Sequence, residues 1–315
     1  MAPLTVGVIG VGHLGQHHAR LYQALPHTTL VGVADLDRDR ASEIGQRYRV
    51  PAYTNSALLL PHIQAVSVAV PTAEHFIVVK HCLEAGVHVL VEKPFATSAK
   101  ESRVLIALAK ERGVTLQVGH IERFNPVITA IAPHIQRPEY IEWQRMSLFQ
   151  ERGLDVSVVL DLMIHDLDLL LSFPLGPVCT VDGRGGTVFS SHLDIANARI
   201  EFESGCVAHF TASRVAPSRV RHFSMLQDNS YLTVDLDTRH AAIYPRQKDL
   251  GIPEPQRIQG NDQEPLKLEL EAFIHAVQTQ TRPRVSGEDG LAALELAEQI
   301  IEAIQARATH SHYHR

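Results

Sequence analysis

The run Val6-Gly7-Val8-Ile9-Gly10-Val11-Gly12-His13-Leu14-Gly15 decides the fold of the first half of this chain. A short apolar, β-branched stretch leads into a GxGxxG, and residues 14–25 beyond it carry apolar positions at helical spacing. Strand, glycine turn and helix in that order form the phosphate-binding entry to a dinucleotide fold. Gly10 allows the tight turn, Gly12 lets the backbone approach a pyrophosphate, and Gly15 permits close packing of helix on strand. His13 and Leu14 lie inside the turn and are counted with the cofactor site, because the phosphates would rest on the N–H groups of the helix N-terminus.

Asp35 closes the second apolar run, Val33-Ala34-Asp35. An acid there accepts hydrogen bonds from the adenosine ribose hydroxyls and repels a 2′-phosphate, which favours NAD over NADP. Arg38 and Arg40 follow at once, so neutralisation of that phosphate by an arginine stays open.

Working outward, strand patterns fall at residues 5–9, 30–34, 65–70, 88–92 and 115–118, with helical patterns at 14–25, 38–48, 73–85 and 98–112. Gly86 and Gly113 each stand between a helical run and a strand, where a left-handed cap is wanted. The alternation predicts a Rossmann domain over residues 1–121, α/β in class, built on a doubly wound parallel sheet. Beyond Pro126 the rhythm changes. A helical stretch at 158–172 precedes strands with hairpin signals at Glu203-Ser204-Gly205 and Asp228-Asn229. Residues 249–264 read as a surface loop, and helices at 266–278 and 290–306 finish the chain. Residues 122–315 are thus expected to form an α+β domain with a large open, mostly antiparallel sheet for substrate binding and oligomerisation, its last helices free to pack back on the first domain.

A length of 315 residues suits two domains, and 45% hydrophobic with 20% charged residues are globular proportions. A net charge of -6 gives no basic footprint for nucleic acid. The three cysteines, Cys82, Cys179 and Cys206, form no CxxC pair, so no metal site or disulfide framework is indicated. With no leader pattern and no bilayer-length apolar run, a soluble cytoplasmic protein without a membrane partner is expected. Of 19 histidines, His310, His312 and His314 lie in the terminal HSHYHR, which reads as a tail.

Two further places carry chemistry. Lys93, in Val91-Glu92-Lys93-Pro94, closes the fourth strand at the sheet edge where ligands of this fold bind, and an ammonium there favours a substrate alkoxide. Asp161 and His165 are four apart, so on a helix they share a face, and a carboxylate-held histidine is a base near neutral pH. Asp166 and Asp168 stand beside the same histidine as alternative partners.

GxGxxG at 10–15, Val70-Pro71-Thr72-Ala73-Glu74-His75, Glu92-Lys93-Pro94, Asp161-x3-His165 and the closing Pro283-Arg-Val-Ser-Gly287-Glu-Asp289-Gly290 together resemble the Gfo/Idh/MocA oxidoreductase family, in order and spacing, over essentially the whole chain. The resemblance implies an NAD-dependent dehydrogenase, with Pro71, Thr72, His75, Glu92 and Lys93 joining the cofactor site. Lys93 would stabilise the alkoxide, His165 would act as base, and Asp161 would orient it or contact substrate. The glycine pair often found before the aspartate–histidine helix is replaced by Asp155-Val156-Ser157.

Within the family, Gly119-His-Ile-Glu-Arg123-Phe-Asn125-Pro126 and the apolar run around His165 resemble the branch that oxidises the 3-hydroxyl of UDP-N-acetylglucosamine for lipid A diamino sugars. That likeness implies a UDP-amino-sugar substrate and a pyridoxal-phosphate (PLP) aminotransferase as downstream consumer. Arg123 and Asn125, after the fifth strand, and Lys267, after the loop, are the candidates for sugar or diphosphate contacts. A free-sugar or inositol dehydrogenase is the alternative. A non-catalytic NAD sensor is disfavoured because both Lys93 and His165 are present. Homo-oligomerisation through the open sheet is expected, as dimer or tetramer, because a large sheet with an apolar face needs cover.

Overall fold

The computed structural model describes residues 3–150, 154, 156–247 and 251–312. In chain order, β1 (Leu4–Ile9), α1 (Gly15–Ala24), β2 (Thr28–Ala34), α2 (Arg38–Tyr48), β3 (Ala52–Tyr53), β4 (Ala65–Val68), α3 (Thr72–Glu84), β5 (His88–Glu92), α4 (Ala99–Arg112) and β6 (Leu116–Gly119) alternate strand and helix. Local chemistry sets the helix ends. Asp37 caps α2 by accepting from the N–H groups of Asp39 and Arg40, and Ser98 caps α4 by accepting from Glu101. Gly113 ends α4 at φ 65°, the left-handed cap expected there.

These strands form a six-stranded sheet ordered β3-β2-β1-β4-β5-β6 with every pairing parallel. The order reverses beside β1, so a crevice opens at the carboxyl ends of β1 and β4, where ligands of such sheets bind. Strands β4 and β6 are buried along their whole length, as a sheet covered on both faces requires.

The chain continues through α5 (Pro126–Ile131), β7 (Pro138–Met146), a π-helical turn at Val159–Met163 and α6 (Ile164–Leu171). Seven strands follow: β8 (Val178–Gly186), β9 (Ile195–Phe202), β10 (Val207–Ser213), β11 (Val220–Gln227), β12 (Ser230–Asp235), β13 (His240–Pro245) and β14 (Gln256–Gln259). They join β7 in an eight-stranded sheet ordered β14-β13-β12-β11-β7-β10-β9-β8. All its pairings are antiparallel except β7 with β10.

The chain closes with α7 (Pro265–Thr279) and α8 (Gly287–His312). It divides into two compact units, residues 1–121 with 264–291, and residues 122–263 with 292–315. In the first unit, α7 brings Leu270, Phe273, Ile274 and Val277 into one core with Val6, Val8, Leu21 and Tyr22. In the second, Trp143 stacks on Phe223 with centroids 4.3 Å apart and on Phe210 at 5.7 Å. Leu167, Leu169 and Leu170 of α6 and Leu296, Ile300 and Ile304 of α8 complete that core. Helix α8 lies so close to β8 that a Cβ on Gly183 would sit 2.8 Å from Ile304 Cγ1.

Two expectations change. Residues 256–259 are not loop but the edge strand β14, paired antiparallel with β13. Its residues are mostly exposed, so no apolar alternation marks it, and residues 249 and 250 of the expected loop lie outside the described chain. The stretch 158–172 is not one regular helix, because its first turn is π-helical. Of the terminal histidines, only the backbone of His310 and His312 is described, and His314 and Asp155 lie outside the described residues.

Candidate active site

In the first unit, the glycine turn sits at the carboxyl end of β1. Gly10 has φ +83°, and a Cβ there would meet Ala69 O at 2.6 Å. A Cβ on Gly15 would lie 1.7 Å from Gly10 O, so α1 can begin this close to β1 only without a side chain. Gly12 differs: within 4 Å its Cβ would meet only Arg40 Nη1, at 3.5 Å. The turn is therefore closed beneath by Gly10 and Gly15 and open above at Gly12, which fits a pyrophosphate laid on the backbone. His13 and Leu14 are exposed beside it.

Asp35 ties this turn to β2, its Oδ2 accepting from Val11 N at 2.9 Å and its Oδ1 from Asp37 N at 2.9 Å. With one bond accepted, Oδ1 keeps a lone pair for a ribose hydroxyl. Arg40 reaches Asp35 Oδ2 at 3.4 Å and Asp37 Oδ2 at 3.0 Å, so its charge is already matched by two carboxylates. Arg38 is exposed at the start of α2.

Pro71 and Thr72 open α3. His75, one turn on, is buried, with Nδ1 2.8 Å from Pro94 O and Nε2 3.0 Å from Val70 O. The neutral ring carries one N–H and so donates to one of these carbonyls, tying His75 to the end of the β4 loop or to the segment after Lys93, while only the imidazolium would donate to both. Both polar atoms of the ring face backbone carbonyls, so the part we propose for His75 in the cofactor site is to shape this loop. Burial lowers its pKa, against the opposing pull of those two carbonyls and of Glu92.

Glu92 ends β5, Lys93 follows it, and the Lys93–Pro94 peptide is cis. Glu92 lies 2.9 Å from Nε2 of the buried His18 on α1 and packs on Gly119, where a Cβ would be 3.1 Å from Glu92 Oε2. Burial works to raise the Glu92 carboxyl, but the hydrogen bond and charge of His18, with Lys93 and His75, hold it below its ordinary value. His18 was not singled out in the sequence. The available signal was a histidine three residues after Gly15, on the helix face that buries Ala19, Leu21 and Tyr22.

In the second unit, Asp161 stands in the π turn and His165 near the start of α6, both partly buried. The alternative partners of His165 are engaged elsewhere. Arg145 of β7 brings Nε to 2.9 and 2.8 Å from the two Asp166 oxygens and Nη2 to 2.6 Å from Oδ1. Arg123 holds Asp168 with bonds of 2.7 and 2.9 Å. Arg145 also reaches Glu122 at 3.1 Å, and Arg221 meets the same carboxylate at 3.3 Å. Burial works to raise Glu122, but these two guanidiniums hold it below the usual carboxylate range.

The three expected substrate contacts each have partners within the protein. Arg123 is bidentate on a fully buried Asp168. Asn125 caps α5 through Val127 N, while its amide nitrogen donates to Glu122 at 3.2 Å and to Leu236 O at 3.0 Å. Lys267 belongs to the first unit, half-exposed and 3.7 Å from Glu271 one turn along α7. Sequence alone does not separate a solvated arginine from one that neutralises a buried acid.

Among the described residues no cluster of three or more His, Cys, Asp or Glu could hold a metal ion, and Cys82, Cys179 and Cys206 are all free thiols. No helix of the described residues is long and apolar enough to cross a membrane.

A six-stranded parallel sheet ordered in this way, with an open glycine turn and an acid at the end of β2, is the architecture of a nicotinamide-dependent oxidoreductase. Residues 4–120 match the model described as oxidoreductase family, NAD-binding Rossmann fold, and residues 129–229 match the GFO/IDH/MocA C-terminal domain. The chain belongs to the Gfo/Idh/MocA oxidoreductase family. It is 35% identical to UDP-N-acetylglucosamine 3-dehydrogenase of Acidithiobacillus ferrooxidans over 97% of this chain and 99% of that protein. The solved structure of that enzyme superposes with a TM-score of 0.92 at 34% identity, covering 97% of this chain and 99% of that one. The NAD-dependent scyllo-inositol 2-dehydrogenase of Bacillus subtilis is 27% identical over 92% of this chain and 90% of that protein.

Proposed function

We propose that this enzyme oxidises the 3-hydroxyl of UDP-N-acetylglucosamine with NAD, giving a 3-keto nucleotide sugar. The observation that carries this reading is the near full-length match at 35% identity to an enzyme of that name. The retained Lys93 and His165 support it.

In this mechanism His165, oriented by Asp161, takes the proton of the C3 hydroxyl as general base. Lys93 donates a hydrogen bond to the same oxygen and stabilises its negative charge as it develops. NAD, when bound, supplies the hydride acceptor at its nicotinamide ring. Gly10, Gly12 and Gly15 shape the bed for its pyrophosphate, and Asp35 accepts from the adenosine ribose. The second unit would serve as substrate-binding and oligomerisation domain. A keto sugar formed in an uphill oxidation needs a consumer, and a PLP-dependent aminotransferase that installs a 3-amino group is the partner we infer, in the cytoplasm.

The test is to incubate the enzyme with UDP-N-acetylglucosamine, NAD and such an aminotransferase and follow NADH absorbance. Turnover with scyllo-inositol or an unlinked sugar, and none with the nucleotide sugar, would remove the assignment. Lys93→Met and His165→Asn are each expected to lower kcat by at least about 100-fold. His165→Asn should leave the calorimetric Kd for NAD within about threefold, since His165 is not among the residues counted with the cofactor site.

A further inference from the structure

We infer that Arg123 and Arg145 are positioning residues for His165, fixing the direction in which its imidazole leaves α6; the inference rests on the reading of His165 as the base. Helix α6 has eight residues and is preceded by a π turn, so it has little intrinsic stiffness of its own. Its apolar contacts, through Ile164, Leu167, Leu169 and Leu170, set which face of the helix is buried but form no directional bond that fixes the aim of the His165 ring.

The charged contacts are directional. At about 100° per residue, Asp166 lies about 100° to one side of His165, and Asp168 about 60° to the other. Each is gripped by a planar guanidinium through two donor nitrogens, Asp166 by Arg145 at 2.6 to 2.9 Å and Asp168 by Arg123 at 2.7 and 2.9 Å. His165 is therefore bracketed by two clamps on opposite flanks.

The clamps are also joined to each other. Arg123 and Glu122 are neighbours on one short turn, and Glu122 accepts from Arg145 at 3.1 Å. The path Arg123, Asp168, Asp166, Arg145, Glu122 closes on itself through the backbone of α6 and of that turn. Arg145 and Asp166 are each only 2% exposed, so water does not screen or compete for the pair. Rotation of α6 by a fraction of a turn would break both clamps together.

The test uses Arg123→Lys and Asp168→Asn, which keep size and much of the hydrogen bonding but lose the two-point grip. Arg145→Lys is a third variant if it folds. Three quantities are read: kcat and KM for UDP-N-acetylglucosamine, calorimetric Kd for NAD, and the 1H–13C signal of the His165 ring, assigned by its loss in His165→Asn. The expected result is an unchanged Kd for NAD, kcat lowered about 100-fold with KM within about threefold, and a shifted or broadened His165 signal. A lower Tm with kcat or the ring signal at its wild-type value would show mere structural support and overturn the inference. If His165→Asn itself retains turnover, the base assignment has failed, and the ring signal alone decides whether the clamps position His165.

Discussion

Gly12 and Gly15 are expected to separate cofactor binding from folding at single-residue resolution. Alanine at 15 would place a methyl 1.7 Å from a backbone oxygen, and only displacement of α1 from β1 can relieve that. Gly15→Ala should therefore lower unfolding stability by about 3 kcal/mol or more in a urea titration, and NAD affinity with it. At Gly12 the same methyl meets only the end of a flexible arginine at 3.5 Å. Gly12→Ala should change stability by less than about 1 kcal/mol yet weaken NAD at least about tenfold, because the methyl occupies the ground the pyrophosphate needs. Equal losses at the two positions would refute this division of roles. Gly10 and Gly15 were legible in the sequence because only glycine permits their approach to neighbouring backbone. Arg123 was not, because its Asp168 partner is 45 residues away and chain spacing carries no sign of the pairing.

Elements with strong periodicity were legible, and those defined by a partner were not. The βα series through Gly119 has buried central strands, side-chain caps on α2 and α4 and left-handed glycines, each leaving a local trace. Strand β14 exists because β13 offers an edge, and the π turn before α6 carries the same residues a regular helix would. The loop between β8 and β9 is a third such case, built around one side chain. Asp194, fully buried, accepts from the N–H groups of Val188, Phe189 and Ser190 and from the Ser190 hydroxyl, at 2.7 to 3.0 Å. Burial opposes its charge, but these donors hold its carboxyl far below the usual range. A depressed carboxyl contributes stability in full above its unfolded value of about 3.9 and loses that contribution as pH falls towards its folded value. Asp194→Asn is accordingly expected to cost about 1–3 kcal/mol at pH 7 and to lose less stability than wild type between pH 4 and pH 2. A variant whose acid limb parallels wild type would contradict the assignment.

At the scale of the whole molecule, the eight-stranded sheet leaves one face without cover among the described residues. Register places Val207, Tyr140, Leu226, Tyr231 and Tyr244 opposite one another across β10, β7, β11, β12 and β13, an apolar and aromatic row on that face. Tyr140, Leu226 and Tyr231 are 39, 40 and 42% exposed, which is unusual for a contiguous set of this size. If the second unit oligomerises through this sheet, as proposed above, Leu226→Glu should shift the sedimentation coefficient to that of a smaller species with unchanged circular dichroism. An unaltered assembly would move the interface elsewhere. The two units also share the chain in an interleaved way: it passes between them after residues 121, 263 and 291. The core of Val6, Val8 and Tyr22 therefore lacks one wall until Leu270, Phe273 and Val277 of α7 arrive. On the ribosome, most of the polypeptide must emerge before its N-terminal unit can close, so that unit waits on the other for its timing.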